Sequence, residues 1–282
     1  MKIAITDFWP DVDPENNFFT NSIRACFENV QVTDINNADF LIYSCFGNSH
    51  CHADRSKTKK IYYTGEAIPP NFSQCDYSLT FDIDDYDGKN FRLPLWMLQI
   101  DWFNRVNYGN PEFVLPLNKI TSNRYIEHKP SKFCVGIFNQ DKLNNRIPFM
   151  QKLNQYKPVT VYGKLTKNWF YGESQKYEIL ADHKFTMCFE NGIYPGYHTE
   201  KLFHAKTAGC LPVYWSDHNL ALDFNSDCCL NLYDYESLDH LVEKVVELDN
   251  SDTLYNEFVK QPLFNKEPSL DEYYEFLKKV MK

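Results

Sequence analysis

The sequence lacks long apolar segments. No stretch approaches the roughly 20 apolar residues that a membrane-spanning helix requires, and the opening residues, Met1 to Asp7, have no apolar core of signal-peptide length. The sequence therefore predicts a cytoplasmic protein with no transmembrane segment. It leaves open a weak peripheral association with a membrane, and it gives no oligomeric state.

The sequence also lacks an excess of positive charge. Lys and Arg together number 29, against 38 Asp and Glu, and the formal net charge is -9. Proteins that bind nucleic acids or anionic membranes use basic faces, because such faces displace counterions. The composition therefore argues against nucleic acid as a partner. An anionic substrate would need a local cluster of Lys and Arg.

Several ligand-binding motifs are missing. Neither Gly-x-Gly-x-x-Gly nor Gly-x-x-x-x-Gly-Lys-Ser/Thr occurs, which removes the most direct dinucleotide and P-loop interpretations. Cys45, His50, Cys51 and His52 lie within eight residues, but their spacing fits no standard zinc pattern. We interpret them as part of a polar loop and assign no metal site. An odd number of cysteines, nine, without a secretory signal predicts free thiols.

What is present is an alternation of strand and helix patterns. Predicted strands cover residues 2–7, 31–33, 39–44, 60–64, 76–81, 132–138, 159–162, 185–189 and 211–215. Predicted helices cover residues 15–28, about 96–103, 144–155, 199–208, 235–247, 253–259 and 270–281. A polar, proline-punctuated segment between Asn104 and Pro130 indicates a linker. The pattern predicts an α/β fold with two domains, residues 1–128 and 129–282.

The stretch from Lys184 to Trp215 carries most of the chemistry. Its strand, loop, helix and second strand form one βαβ unit of the parallel-sheet type. The loop and the first helical turn are unusually polar, and they follow the carboxyl end of a strand, where open α/β sheets bind ligands. This polar set comprises Glu190, Asn191, Tyr197, His198, Thr199, Glu200 and Lys201.

These residue types suit a sugar nucleotide. If Thr199 caps the helix, the free backbone amides and Lys201 form a positive site for phosphates. Glu200 and Asn191 would accept or donate hydrogen bonds to ligand hydroxyls, and Tyr197 would offer a ring face. A capped surface turn is the alternative interpretation of the same residues.

Two residues elsewhere in the chain are further candidates. Glu66 follows a predicted strand beside tyrosines and precedes two prolines, so it is a candidate general base, with a solvated loop residue as the alternative. Arg146 lies in the first turn of a predicted helix, where a cation opposes the helix dipole. It either points at a bound anion or extends into solvent.

A longer pattern resembles a known family. The residues that carry it are Phe189-Glu190-Asn191, Gly196-Tyr197, Thr199-Glu200-Lys201-Leu202, Ala208-Gly209 and Pro212-Val213-Tyr214-Trp215. Together they resemble the signature of the α1,3/α1,4-fucosyltransferases of glycosyltransferase family 10. Thr64-Gly65-Glu66 resembles part of the family's acceptor-side block, and the stretch from Phe138 to Arg146 resembles its donor-side strand and helix. His198 departs from the family pattern, which commonly has an aliphatic or a basic residue there.

The resemblance implies a GT-B architecture, with two Rossmann-like domains facing across a cleft. Residues 1–128 would bind the acceptor and residues 129–282 a GDP-sugar, and we allow for packing of the last helix, about 268–281, on the N-terminal domain. The implied reaction transfers L-fucose from GDP-fucose, with inversion, to an oligosaccharide acceptor, α1,3 to N-acetylglucosamine or glucose. Another GDP-sugar donor and an inactive glycan-binding homologue remain as alternatives.

The resemblance also implies roles for individual residues. Glu66 would be the general base. Arg146 and Lys201 would neutralise the diphosphate, and Asn191, Tyr197 and Glu200 would hold the ribose, fucose or guanine. No metal is required by this resemblance, and stimulation by Mn²⁺ is left open.

Overall fold

The structure, a computed structural model, describes residues 1–104, 114–120, 129–169 and 172–282. The chain divides into two compact units. Unit 1 comprises Met1–Val114 and Pro268–Lys282, and unit 2 comprises Leu115–Glu267. The expected domain boundary at residue 128 lies outside the described residues.

Unit 1 is a six-stranded parallel sheet with helices. The strands are β1 (Lys2–Thr6), β2 (Gln31–Val32), β3 (Phe40–Tyr43), β4 (Lys59–Tyr63), β5 (Tyr77–Thr80) and β6 (Asn90–Arg92), in the order β2-β1-β3-β4-β5-β6. A short β7 (Ile100–Asp101) follows, and the helices are α1 (Phe18–Cys26) and α8 (Asp271–Val280). All five strands predicted in this half are present within two residues of their predicted ends.

Helices α1 and α8 pack on each other within unit 1. The side-chain oxygen of Asn17 caps α1 by accepting a hydrogen bond from the backbone N–H of Thr20 at 3.0 Å. The rings of Phe18 and Tyr273 stack with centroids 5.6 Å apart. The end of the chain is therefore part of the same packed unit as its beginning.

The helix predicted up to Phe103 is wrong. Residues Leu95–Gln99 form only a short 3-10 helix, after which the chain becomes extended in β7. Six consecutive side chains, residues 96–101, are buried. A surface helix has a solvent-facing side, so continuous burial of this kind favours an irregular, enclosed segment.

Unit 2 contains a five-stranded parallel sheet. Its elements are β8 (Leu115–Pro116), α2 (Leu117–Ile120), β9 (Lys132–Ile137), α3 (Arg146–Leu153), β10 (Val159–Tyr162), α4 (Gly172–Ala181), β11 (His183–Phe189), α5 (Glu200–Thr207), β12 (Leu211–Trp215), β13 (Leu230–Asn231), α6 (Leu238–Asp249) and α7 (Asp252–Val259). The sheet order is β10-β9-β11-β12-β13. The predicted strands and helices are confirmed. The short elements β8, α2 and β13 were not predicted, and neither was helix α4. Its buried and half-buried apolar residues gather near its end, at Tyr177, Ile179, Leu180 and Ala181, which gives little helical periodicity.

Both faces of this sheet are covered. Cys134 packs in the larger core with Phe149 and Phe185, whereas its neighbour Val135 packs on the opposite face with Leu180. Successive side chains of a strand point to opposite faces, so a doubly covered strand reads as a continuous apolar run. This explains why β9 and β11 were recognised in the sequence.

The sheet order of unit 2 places a topological switch between β9 and β11. From β9 the chain crosses to β10 on one side, and it then returns to β11 on the other. The helices that follow these strands therefore diverge, and a crevice opens at the carboxyl ends of β9 and β11. The polar residues between Glu190 and Lys201 follow β11 at this edge.

The described helices show no membrane span. Across residues 1–104, 114–120, 129–169 and 172–282, no helix combines the length and the apolarity that crossing a bilayer would require.

Candidate active site

A cavity of about 190 Å³ lies at the switch point of unit 2. It is lined by residues at or just beyond the ends of β9, β10 and β11, and by the first turn of α5, including Phe138, Asn139, Gly163, Cys188, Glu200 and Lys201. Ligand pockets usually measure about 300–1,000 Å³. This cavity therefore accommodates one part of a larger ligand, with the remainder at the neighbouring loops.

The carboxylate of Glu190 organises the loop after β11. It is buried and accepts hydrogen bonds from the backbone N–H of Thr199 at 2.9 Å and from the Thr199 hydroxyl at 2.8 Å. It also accepts one from the Lys201 ammonium at 2.7 Å. Thr199 occupies the N-cap position of α5, but its side chain makes no capping hydrogen bond, because the hydroxyl is directed to Glu190. Thr199 is therefore the N-cap residue, but the hydrogen bonds of its side chain go to Glu190 rather than to the helix.

Arg146 is buried, so the interpretation as a solvent-exposed side chain is wrong. Its guanidinium donates to the backbone oxygens of Gln140, at 2.6 Å, and Phe189, and to the Asn191 side-chain oxygen at 3.0 Å. These bonds hold the end of β11 against the start of α3. They use three of the five guanidinium N–H groups, and within the described part of the chain the other two remain for a ligand.

The backbone N–H groups at the start of α3 already donate hydrogen bonds to a carboxylate. Asp141 accepts hydrogen bonds from the backbone N–H groups of Asn145, Arg146 and Ile147 at 3.0–3.1 Å. Negative charge at a helix N-terminus is stabilising. Asp141 therefore offsets the cation in the first turn of α3, which explains how Arg146 is tolerated there.

Lys201 and Glu200 remain charged. Burial lowers the pKa of the Lys201 ammonium, but the carboxylates of Glu190 and Glu200 outweigh burial and raise it above its ordinary value. Burial raises the pKa of the Glu200 carboxyl, yet Lys201 and Lys176 outweigh burial and hold that pKa well below its ordinary value. Lys176 lies 3.6 Å from the Glu200 carboxylate and lines the cavity. The cavity wall thus carries both signs of charge.

The other two predicted ligand-binding residues of this loop, Asn191 and Tyr197, have different surroundings from each other. Asn191 is half-buried and accepts a hydrogen bond from the Arg146 guanidinium, so it lies near the two cations, Arg146 and Lys201. Tyr197 is almost completely buried, so its ring faces are covered by protein rather than presented to solvent. Four of the six predicted site residues lie around the end of β11 and the start of α5: Arg146, Asn191, Glu200 and Lys201.

Glu66 lies in unit 1, just after β4. Its backbone N–H donates to the Thr64 hydroxyl at 3.0 Å, and that hydroxyl donates back to the Glu66 carbonyl at 3.0 Å. This tight turn fixes the backbone of Glu66 while its side chain is only half-buried. The residue is therefore held in place at the carboxyl edge of the unit 1 sheet.

The cysteine and histidine cluster of unit 1 is a hydrogen-bonded loop. Asp7 accepts hydrogen bonds from the backbone N–H groups of Ser49 and His50, and His50 Nδ1 lies 2.7 Å from the same carboxylate. In the described residues no group of three or more His, Cys, Asp or Glu side chains is arranged to hold a metal ion.

Two residues of the site were not among those predicted for it. Glu190 stood in the polar set without a role, and only its buried contacts show that it orients Lys201. No pattern in the sequence indicated Lys176, because it lies on α4, a helix that was not predicted. Its contact with Glu200 joins residues 24 positions apart in sequence.

The chain has two α/β units, each built on a parallel sheet, and a charged crevice lies at the switch point of the second. These features define a protein of the GT-B class of α/β folds. Residues 3–99 match a model described as the alpha-(1,3)-fucosyltransferase FucT N-terminal domain, and residues 126–263 match one described as the glycosyltransferase family 10 (fucosyltransferase) C-terminal region. The chain belongs to glycosyltransferase family 10.

Individual relatives agree with this family. The chain is 27% identical over 281 residues to the alpha-(1,3)-fucosyltransferase FucT of Helicobacter pylori, which covers 90% of this chain and 58% of that protein. It is 30% identical over 135 residues to GDP-fucose protein O-fucosyltransferase 3 of Xenopus laevis, covering 44% of this chain and 29% of that protein. This chain therefore spans less than two thirds of the length of these relatives.

A solved structure has the same fold. A crystal structure of an alpha1,3-fucosyltransferase with GDP-fucose superposes with a TM-score of 0.76 at 22% identity, over 100% of this chain and 90% of that one. The expected α/β GT-B fold is confirmed by this likeness. The likeness concerns the fold.

Proposed function

We propose that the protein is an inverting fucosyltransferase that moves L-fucose from GDP-fucose to a hydroxyl of an acceptor glycan. The observation that carries the proposal is the pair of cations, Arg146 and Lys201, held by Phe189, Glu190 and Asn191 at the end of β11. Membership of a fucosyltransferase family supports the choice of fucose and of a GDP donor.

The cation pair suits a departing diphosphate. Arg146 has two N–H groups and Lys201 one ammonium hydrogen beyond those used in the described contacts. Preorganised donors of this kind stabilise charge that develops on a leaving group, because they need no rearrangement during the reaction. An acidic protein can therefore bind a diphosphate without a basic surface.

The remaining polar groups suit the sugar parts of the donor. Glu200 is ionised and lines the cavity, so it can accept hydrogen bonds from ribose or fucose hydroxyls. Asn191 accepts from Arg146 and has its side-chain NH₂ group to donate. We call residues 190–199, between β11 and α5, the donor loop. We assign Tyr197 a packing role within this loop rather than a stacking role, because its ring is buried.

Glu66 is the proposed general base. The acceptor hydroxyl loses its proton to the Glu66 carboxylate while its oxygen forms a bond to the anomeric carbon of fucose. The bond from that carbon to the β-phosphate oxygen breaks, and its electron pair stays with GDP. Attack from the face opposite the leaving group inverts the anomeric centre, and Arg146 and Lys201 stabilise the diphosphate.

An acceptor screen tests the proposal directly. Purified protein is incubated with GDP-fucose, GDP-mannose or UDP-galactose, each with N-acetyllactosamine, lactose or no acceptor, and released nucleotide and product linkage are measured. We expect acceptor-dependent GDP release from GDP-fucose alone and an α1,3-linked product on N-acetylglucosamine or glucose. Turnover of another GDP-sugar instead would transfer the proposal to that donor, and glycan binding without any turnover would overturn the enzyme proposal.

The setting of the reaction is also part of the proposal. All nine cysteines are free, which supports a reducing compartment and hence the cytoplasm. We propose that no metal is obligatory, because the two cations already supply positive charge at the diphosphate. Assays with chelator and with added Mn²⁺ test this point, and loss of all activity in chelator would contradict it.

A further inference from the structure

The segment after β12 holds three consecutive residues of the donor loop. The Asp217 carboxylate accepts a hydrogen bond from the backbone N–H of Gly196 at 2.6 Å. The Ser216 hydroxyl donates to the backbone oxygen of Tyr197 at 2.7 Å. The side chain of His198 is held by two carboxylates of the same segment. The conformation of residues 196–198 is therefore fixed from the neighbouring strand.

His198 is enclosed between Asp217 and Asp223. Its Nδ1 lies 2.5 Å from Asp223 Oδ2 and its Nε2 lies 2.9 Å from Asp217 Oδ1. The exposed fraction of the His198 side chain is 0%, and those of the aspartates are 6% and 4%. We call these three residues the clasp. The rings of Tyr214 and Phe224 pack near the imidazole, with centroids 6.4 and 6.2 Å from it.

The geometry fits a doubly protonated imidazole. A neutral imidazole has one N–H and can donate to only one carboxylate, whereas an imidazolium donates from both nitrogens. Burial raises the pKa of Asp217, but the hydrogen bonds from His198 and from the Gly196 N–H outweigh burial and hold that pKa at about 2. An ionised Asp217 and a second carboxylate at 2.5 Å are both satisfied when His198 carries two protons.

The clasp is linked to the cation site through Thr199 and Glu190. His198 precedes Thr199, whose N–H and hydroxyl bind Glu190, and Glu190 in turn binds Lys201. A change in the position of His198 therefore moves the anchor of the Lys201 ammonium. Among the contacts of the imidazole given above, the titratable neighbours are Asp217, Asp223 and Tyr214, and burial raises the pKa of Tyr214 well above its ordinary value.

We propose that His198, held as an imidazolium between Asp217 and Asp223, is a positioning residue that sets the donor loop for binding of the sugar nucleotide. The inference rests on the proposed function for the identity of the donor. It assigns the clasp no contact with substrate. The clasp keeps Thr199, Glu190 and Lys201 in their binding positions before the donor binds. The donor therefore does not have to order the loop.

The main test compares His198→Gln with Asp223→Asn. Glutamine keeps one donor and one acceptor but no charge, and asparagine keeps the shape of Asp223. We expect each variant to raise the GDP dissociation constant about tenfold and to lower kcat/KM for GDP-fucose by at least that factor, because Lys201 contacts both the bound diphosphate and the charge that develops on it during the reaction. Calorimetric titration with GDP and initial-rate kinetics give the two values.

His183→Gln is the matched control. His183 is also buried and lies on β11, but at the opposite end of that strand, where its Nδ1 contacts the backbone oxygen of Ile179 at 2.7 Å. We expect it to lower the melting temperature without changing GDP affinity. If His198→Gln lowers the melting temperature by the same amount and leaves GDP affinity unchanged, the positioning role is overturned.

A measurement on the unaltered protein tests the protonation state. In ¹⁵N-histidine NMR at pH 7, the signals that disappear in His198→Gln should show both ring nitrogens protonated. A neutral, singly protonated ring would overturn the clasp, whatever the protein binds. Absence of GDP affinity in the wild-type protein, with the imidazolium signals present, would instead overturn the proposed function and the donor-binding part of this inference, so the two failures are distinguishable.

Discussion

Glu190 and Lys201 form a salt bridge of 2.7 Å in which the carboxylate is fully buried and the ammonium is one-fifth exposed. The carboxylate needs the ammonium, because a buried charge without a partner is strongly unfavourable. The ammonium, however, retains access to the crevice. Lys201 therefore has two roles, one in the fold and one in the proposed site, and an experiment must separate them.

A double substitution separates these roles. Lys201→Met leaves Glu190 buried and unpaired, so we expect it to lower the free energy of unfolding by about 3–5 kcal/mol and to abolish GDP binding. Adding Glu190→Gln removes the unpaired charge and should recover part of the stability while GDP binding stays lost. Urea denaturation and calorimetric titration give the two quantities. Recovery of GDP binding in the double variant would show that Lys201 does not hold the donor.

Arg146→Lys tests the planar guanidinium. Lysine keeps the charge but cannot bridge the backbone oxygens of Gln140 and Phe189 while also facing an anion. We expect GDP affinity to fall at least about tenfold, since charge-assisted, bidentate contacts are lost. Arg24→Lys, at an exposed ion pair with Glu15 in unit 1, is the control and should bind GDP normally. Unchanged affinity in Arg146→Lys would rule out direct contact with the diphosphate.

Glu66→Gln tests the general base. The amide preserves shape but cannot accept a proton, so kcat should fall by about 10²–10⁴ while GDP affinity is unchanged. Glu28→Gln, at an exposed position of the same unit, should retain full activity. A parallel loss of GDP affinity in Glu66→Gln would place the residue at the donor rather than at the acceptor hydroxyl.

Gly163→Ala tests the backbone beside the cavity. A Cβ on Gly163 would lie 2.2 Å from the backbone oxygen of Phe138, and the residue has a φ of +127°. We expect a loss of about 3 kcal/mol in the free energy of unfolding. Gly192→Ala is the control, because a Cβ there meets no atom within 4 Å. Equal stabilities for the two variants in urea would contradict the close approach at Gly163.

The stability contributed by Asp217 should depend on pH. Its pKa of about 2 in the folded protein lies below the value of about 3.9 for an unfolded aspartate, so its stabilisation is present above pH 4 and is lost as the pH falls towards 2. The difference in unfolding free energy between wild type and Asp217→Asn should therefore shrink between pH 5 and pH 3. A constant difference over that range would contradict the lowered pKa.

Regular elements were predictable where burial leaves a local pattern. The doubly buried strands β9 and β11 are continuous apolar runs, and each was recognised within two residues of its observed ends. Helix α4 and the 3-10 segment at Leu95–Gln99 were not, because one lacks apolar periodicity and the other is buried on all sides. A periodicity argument needs apolar residues at helical spacing on one face and polar residues on the other. Helix α4 lacks the apolar spacing, and the 3-10 segment lacks the solvent-facing side.

The site, too, has some features that the sequence predicts and others that only the structure shows. The residue types between Glu190 and Lys201, and their place after a strand, predict a phosphate-binding loop. Sequence could not show that the Thr199 hydroxyl turns away from its helix, or that Arg146 is buried against Phe189. These depend on which groups lie nearby in three dimensions, since a hydroxyl or guanidinium binds the acceptor that is within reach.

The sequence by itself determined the α/β class, the family and the identity of the charged residues, because these follow from local patterns and from a contiguous motif. Only the tertiary structure decided how those charges are used. Glu190 became the partner of Lys201, and His198 came to lie between Asp217 and Asp223, residues 19 and 25 positions away. Parallel strands bring distant loops to one edge of a sheet, and electrostatic contacts depend on that distance in space rather than on separation along the chain.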